Sequence, residues 1–211
     1  MAGLPQNFQA FSNVLANYNF VDIASGTGYI NFYGGTSSVF AGTVSYMLSN
    51  NVFSADPIIS TGSKNVNVGV YDTVFDLDFD ITLNRPLDLL GKAIINIGTV
   101  GDSNQVRTYV EAKIRKWDGV TETEIASSTS SYSDANIYYY HCIKVDISTL
   151  THFKRGETLR LTILVYVSSI GINGVRQVTI AHDPSNRTVG WDTTGAVPSR
   201  LSFQCPVRLN L

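Results

Sequence analysis

Val74-Phe75-Asp76-Leu77-Asp78-Phe79-Asp80-Ile81-Thr82-Leu83 alternates apolar and polar residues without a slip. A two-residue period puts Phe75, Leu77, Phe79, Ile81 and Leu83 on one face of a strand and three aspartates on the other. The same period recurs downstream. Over residues 106–117, Val106, Thr108, Val110, Ala112 and Ile114 face inward and Arg107, Glu111, Lys113 and Arg115 outward. Asp118-Gly119 then supplies a hairpin turn into a strand over 122–127. Leu159, Leu161, Ile163, Val165 and Val167 make the inward face of another strand, after the turn at Lys154-Arg155-Gly156-Glu157. Further strands are expected over 93–100, 137–147 and 175–182. A last one aligns Leu201, Phe203, Cys205, Val207, Leu209 and Leu211 on one face. Pro206, which lacks a donor, predicts an edge position or a bulge there.

The first 60 or so residues read differently, being rich in Asn, Ser, Gly and aromatics and nearly devoid of cations before Lys64. They are expected to form an N-terminal arm, residues 1–62, with short strands near 18–23, 28–33 and 42–48. Gly34-Gly35 is expected to end the second of these. Residues 63–211, with longer strands and regular turn signals, are expected to form an antiparallel jelly-roll β-sandwich, so the fold class is all-β. Short helices near 9–16 or 87–90 are the only helical candidates.

Composition narrows function. Fifteen Lys+Arg against 17 Asp+Glu give a formal charge of -2, which lacks the electrostatic footprint of a nucleic-acid binder. Only 15% of residues are charged while 44% are hydrophobic, which fits either ordinary extracellular β-protein composition or a surface partly covered in an assembly. No apolar run reaches the roughly 18 residues of a membrane span. The N-terminus lacks the basic start and apolar stretch of a secretory signal, so the chain is expected to be made and used without export. Cys142 shares a strand face with Lys144 and Asp146, whereas Cys205 shares one with Phe203 and Val207; free thiols are expected.

Candidate chemistry is sparse. Asp76, Asp78 and Asp80 are the obvious metal candidates, but residues two apart on a strand sit about 6.5 to 7 Å apart and cannot close round one ion without loop carbonyls. A solvated face, or pairing with Arg107, Lys113 or Arg115 of a neighbouring strand, is expected instead. His141, His152 and His182 show no metal-ligand spacing. His182-Asp183 resembles half of a catalytic pair, yet no serine sits in a Gly-x-Ser-x-Gly elbow, and the loop 182–187 reads as turn chemistry with Arg187 as an interface residue. No metal, no cofactor and no catalytic residues are assigned, and the chain is expected not to be an enzyme. Trp117, Trp191 and Tyr138-Tyr139-Tyr140 could supply a sugar-stacking platform, or be core and interface.

The order Phe75-Asp76-Leu77-Asp78-Phe79-Asp80, Leu90-Gly91-Lys92-Ala93, a charged alternating strand, Val145-Asp146-Ile147 and Phe153-Lys154-Arg155-Gly156-Glu157-Thr158-Leu159-Arg160-Leu161 resembles galactose-binding-like jelly rolls. That layout is shared by the C-terminal domains of X-prolyl peptidases and by many phage structural proteins. The resemblance covers about 140 residues, implies a jelly roll and transfers no functional residue. Joined to the composition, it leads to the expectation of a virus or phage structural protein: a capsid, minor capsid or decoration component of the virion, made in the host cytoplasm. Copies of itself and other virion proteins would be its partners. The arm would pair with a neighbouring subunit while Phe8, Phe11, Tyr18 and Phe20 fill pockets. The alternative is a carbohydrate-binding module or receptor-binding lectin, with Trp117 and Trp191 against a surface glycan.

Overall fold

The structure is a computed structural model that describes residues 16–17, 26–40, 43–52, 58–133, 137–187, 191 and 197–208. Twelve strands follow one another: β1 (Ala16–Asn17), β2 (Thr27–Phe40), β3 (Thr43–Ser49), β4 (Ile59–Val66), β5 (Asp72–Thr82), β6 (Leu87–Gly101), β7 (Val106–Trp117), β8 (Glu122–Thr129), β9 (Tyr138–Phe153), β10 (Thr158–Ser169), β11 (Gly174–Ala181) and β12 (Ser202–Arg208). The described residues contain no helix; residues 87–90 belong to β6. The proposed helix over 9–16 lies outside the described residues apart from Ala16, which is in β1.

Pairing runs β4-β11-β6-β12-β2-β3-β5-β10-β7-β8, with β9 on the other side of β6 and β1 beside β2. All pairs are antiparallel except the short parallel contact of β3 with β5, Tyr46 opposite Phe79 and Met47 opposite Asp80. At that seam the sheet folds over, so that β5-β10-β7-β8 covers the strands around β6, and one hydrophobic core fills the space between. The chain is an all-β jelly-roll sandwich.

The alternation read from the sequence is what builds this core. On β7, Val106, Val110, Ala112 and Ile114 are buried, and on β10 Leu159, Leu161, Ile163, Val165 and Val167 are sealed completely. Each such side chain contributes about 1.5–3 kcal/mol by leaving water. On β5, Phe75 and Phe79 point inward, and Leu83, just past its end, is also buried.

The sheet does not divide at residue 62. Strands β2 and β3, read from the sequence as part of an arm, lie in its middle between β12 and β5. Gly34 does not end β2 but lets it continue: a Cβ there would sit 2.7 Å from Leu201 Cδ2 and 2.9 Å from Phe79 Cε1. The register with β3 slips between Gly34 and Ser37. Pro206 likewise is not at an edge, because β12 is paired with β2 on one side and β6 on the other. Its missing donor falls where the β6 register shifts between Gln204 and Val207.

Candidate functional site

The outward face of β5, β10 and β7 carries two contrasting zones. At one end, Asp78 and Asp80 of β5 face β10 rather than the cations of β7, since β10 runs between those strands. The expected partners Arg107, Lys113 and Arg115 are therefore replaced by Arg160. Its Nε and Nη2 donate to the two oxygens of buried Asp80 at 2.7 and 2.8 Å. Its Nη1 donates to Glu122 Oε1 at 3.0 Å and lies 3.2 Å from Asp78 Oδ2. Thr162 Oγ1 donates to Asp78 Oδ1 at 2.6 Å. The Asp80 hydrogen bonds, more than any other cause, raise the guanidinium pKa. Arg160 thus fills the place between the carboxylates that a cation would take.

At the other end stands a cluster of four tyrosines. Tyr109 of β7 and Tyr166 of β10 are direct cross-strand partners, stacked with ring centroids 4.5 Å apart and planes 5° from parallel. Tyr71 meets Tyr109 edge-on at 5.1 Å, and Tyr132 lies 5.2 Å from Tyr109 and 5.0 Å from Tyr71. Such pairs add about 0.5–1.5 kcal/mol each beyond area burial. Tyr166 Oη donates to Glu111 Oε2 at 2.9 Å, and Glu111 also pairs with Lys113. Burial first, then the Glu111 carboxylate, pushes the Tyr166 phenol up to about 12, and burial also raises Tyr71 and Tyr109. These phenols stay protonated donors at physiological pH.

The loop carrying Tyr132 is held from beneath. Thr108 N donates to Ser133 Oγ at 2.7 Å, and Ser133 N returns to Thr108 O at 2.7 Å. Buried His141 reaches the same place, with Nδ1 2.9 Å from Ser130 Oγ and Nε2 3.1 and 3.2 Å from the hydroxyls of Thr99 and Thr108. Burial lowers its pKa to about 4, so it is neutral.

Beside the tyrosines, the loops at this end expose apolar side chains. Val68, Val70, Ile170 and Ile172 are 46%, 49%, 40% and 63% exposed, and Tyr132 is 61% exposed. The loops are stitched together: Gly69 N donates to Ser169 O at 3.0 Å, Val68 N to Asn173 Oδ1 at 2.7 Å and Ile170 N to Gln105 O at 3.0 Å. Arg176 Nη2 clamps them through Ser169 Oγ, Gln105 Oε1 and Ile172 O, all at 3.1 Å. A held, exposed apolar patch beside ordered aromatics is the usual mark of a contact surface.

His182 does have a serine. Its Nε2 is 2.9 Å from Ser60 Oγ, its Nδ1 is 3.0 Å from Gly35 O, and Tyr46 Oη is 3.3 Å from the same Ser60 oxygen. The serine comes from β4, 122 positions away, and not from an elbow. Asp183 is turned away into the loop: it accepts from Ser185 N at 3.1 Å and Arg187 N at 2.7 Å, and pairs with the Arg187 side chain. His152 bonds exposed to Asp88.

The remaining sequence candidates scatter. Phe8, Phe11, Tyr18 and Phe20 lie outside the described residues. Arg187 is exposed but tied to Asp183. Trp117 is half-buried at the end of β7. Trp191 is only 6% exposed and packs with Ala181 and Val197, so its ring offers no face to a sugar. The tyrosine cluster was missed because its members come from two strands and two loops. The signal available was Tyr at the same outward parity of both β7 and β10.

No family model and no curated protein matches this chain. Among solved structures, an aminopeptidase from a marine sediment archaeon, Thaumarchaeota archaeon, aligns over 87% of this chain with a TM-score of 0.54 and 10% identity. A CocE/NonD family hydrolase from Staphylococcus aureus aligns over 87% with a TM-score of 0.50 and 14% identity. The chain spans 37% of the length of each. The infectious bursal disease virus VP2 subviral particle aligns over 81% of this chain at 13% identity, with a TM-score of 0.28 that is too low to bear on function. The hydrolase matches overturn the expectation that the chain is not an enzyme, since these two structures, which align over 87% of the chain, are an aminopeptidase and a hydrolase. At this identity the likeness is one of fold, and no residue role passes across it.

Proposed function

We propose that this chain is a jelly-roll structural protein of a virus or phage particle that works through contacts between protein subunits. The observation that supports the reading best is the apolar loop end, where Val68, Val70, Ile170 and Ile172 stand exposed next to the four-tyrosine cluster. Apolar residues at a contact centre with ordered aromatics around them suit a subunit interface that excludes water. The near-neutral charge of the chain leaves such association unopposed by long-range repulsion. Light scattering over a concentration series, with electron microscopy of the same fractions, tests this. Wild type is expected to form discrete oligomers or ordered assemblies. A Val70→Lys/Ile172→Lys double variant is expected to stay monomeric with an unchanged circular dichroism spectrum. Assembly that survives the double variant, or a monomeric wild type at every concentration, refutes the reading.

A second reading, carbohydrate binding, moves from the tryptophans to Tyr132. Its ring is exposed, it sits against Tyr71 and Tyr109, and sugar rings stack on faces of this kind. Glycan-array binding that disappears with Tyr132→Ala but not with Trp191→Phe would favour it.

A further inference from the structure

Among the described residues, β9 pairs with β6 alone, so its other side is an open edge. The direction of its backbone groups follows from one contact. Gly101 N donates to Ile137 O at 2.7 Å just before the strand begins, and hydrogen-bonded pairs alternate along an antiparallel ladder. The odd-numbered residues as far as Ile147 therefore turn their N–H and C=O groups to β6, and Cys142, Lys144 and Asp146 turn theirs to the open edge. Side chains divide at the same parity: His141, Ile143, Val145 and Ile147 are buried, whereas Cys142, Lys144 and Asp146 are exposed. The segment after β8 reaches β9 from the inward side, where Ser130 Oγ lies 2.9 Å from His141 Nδ1, and β8 forms no ladder with β9. The salt bridges among the described residues use neither Lys144 nor Asp146. An open edge of this kind is a template for another strand.

We infer that β9 pairs antiparallel with β9 of a second copy, about a two-fold axis through Val145, and that this contact joins subunits within the assembly. An axis there sets each Lys144 opposite Asp146 of the other copy in a hydrogen-bonded pair, so the outward backbone groups and both charges find partners together. Ile143 meets Ile147 and Val145 meets its own copy, which carries the buried layer across the joint. Moving the axis one residue either way would set Lys144 against Lys144 or Asp146 against Asp146. Tyr140 and Leu150, 38% and 49% exposed and equidistant from the axis, flank the paired stretch. A bulge between Ile147 and Thr151, where the β6 register shifts, bounds that stretch. The other edge strands lack this symmetry. β8 offers Glu122 and Glu124 and β4 only Lys64, so neither holds opposite charges for its own copy.

The inference rests on the subunit-contact reading. So short a joint, with its ion pairs exposed, does not hold two chains together unaided, which agrees with a monomeric loop-end double variant. It closes among chains that the loop-end contact has already gathered. One two-fold contact stops at a dimer, and an extended assembly needs a second.

The test adds three variants of the full chain to the light-scattering and microscopy series. Lys144→Asp sets Asp against Asp146, and Asp146→Lys sets Lys against Lys144. Each is expected to raise the concentration at half-assembly by about 10-fold or more, since like charges then face each other across the joint. The exchange Lys144→Asp/Asp146→Lys restores opposite pairs and is expected to assemble as wild type does. Both side chains are exposed, so circular dichroism should be the same in all. Single variants that assemble like wild type, or an exchange that fails to recover assembly, overturn the inference and leave the loop-end contact standing. A wild type that is monomeric at every concentration overturns the subunit-contact reading and this inference with it.

Discussion

Two imidazoles buried without charge make this sandwich sensitive to mild acid. Burial takes His141 and His182 from an ordinary 6.5 to about 4. The unfolded chain therefore binds more protons than the folded one between those values, and stability falls as pH drops through that window. For one such group, moving from pH 8 to pH 5 removes about 2 kcal/mol, and for the two together about 4 kcal/mol. That is a large part of the 5–15 kcal/mol typical of a folded domain. With a urea slope of roughly 2–3 kcal/mol per molar, the denaturation midpoint should drop by about 1.5–2 M between pH 8 and pH 5. His141→Gln, which keeps hydrogen-bonding capacity toward Thr99 and Ser130 while removing the titration, should halve that drop. Equal midpoints at the two pH values in wild type, or an undiminished drop in the variant, would refute the reasoning.

Three further outcomes are expected. Arg160→Ala strands the buried Asp80 carboxylate and should cost about 3–5 kcal/mol by thermal or urea melting, whereas an Arg160→Met/Asp80→Leu double replacement should cost less than the single change. Gly98→Ala places a Cβ 2.6 Å from Val197 Cγ1 and 2.9 Å from Pro198 O, so it should destabilise by about 1–3 kcal/mol in the same assay. Iodoacetamide should modify exposed Cys142 in the native protein and spare Cys205 until urea unfolds it, because Cys205 is sealed in the core and burial raises its thiol pKa.

What the sequence revealed and concealed divides along physical lines. Faces were legible wherever alternation was strict, as on β7 and β10, because burial on one side of a strand is a local pattern. Partners were not, since pairing depends on strand order: the aspartates of β5 meet Arg160 only because β10 runs beside them. The Gly-, Ser- and Asn-rich stretch over β2 and β3 has little alternation to read, and it went unrecognised as the middle of the sheet. Ser60 and His182, and the four tyrosines, are juxtapositions across long chain separations that no local spacing announces.

β12 lies wedged between β6 and β2, strands made much earlier in synthesis. At about 5–20 residues per second, a ribosome needs roughly 10–40 s to make 211 residues. From the completion of β6 until residues 202–208 are made, β2 and β6 each present an open edge that β12 closes. A nascent chain of this protein therefore cannot finish its sheet piecemeal. Loss of residues 202–208 would remove a central plank and leave two bare edges free to capture strands from neighbouring chains.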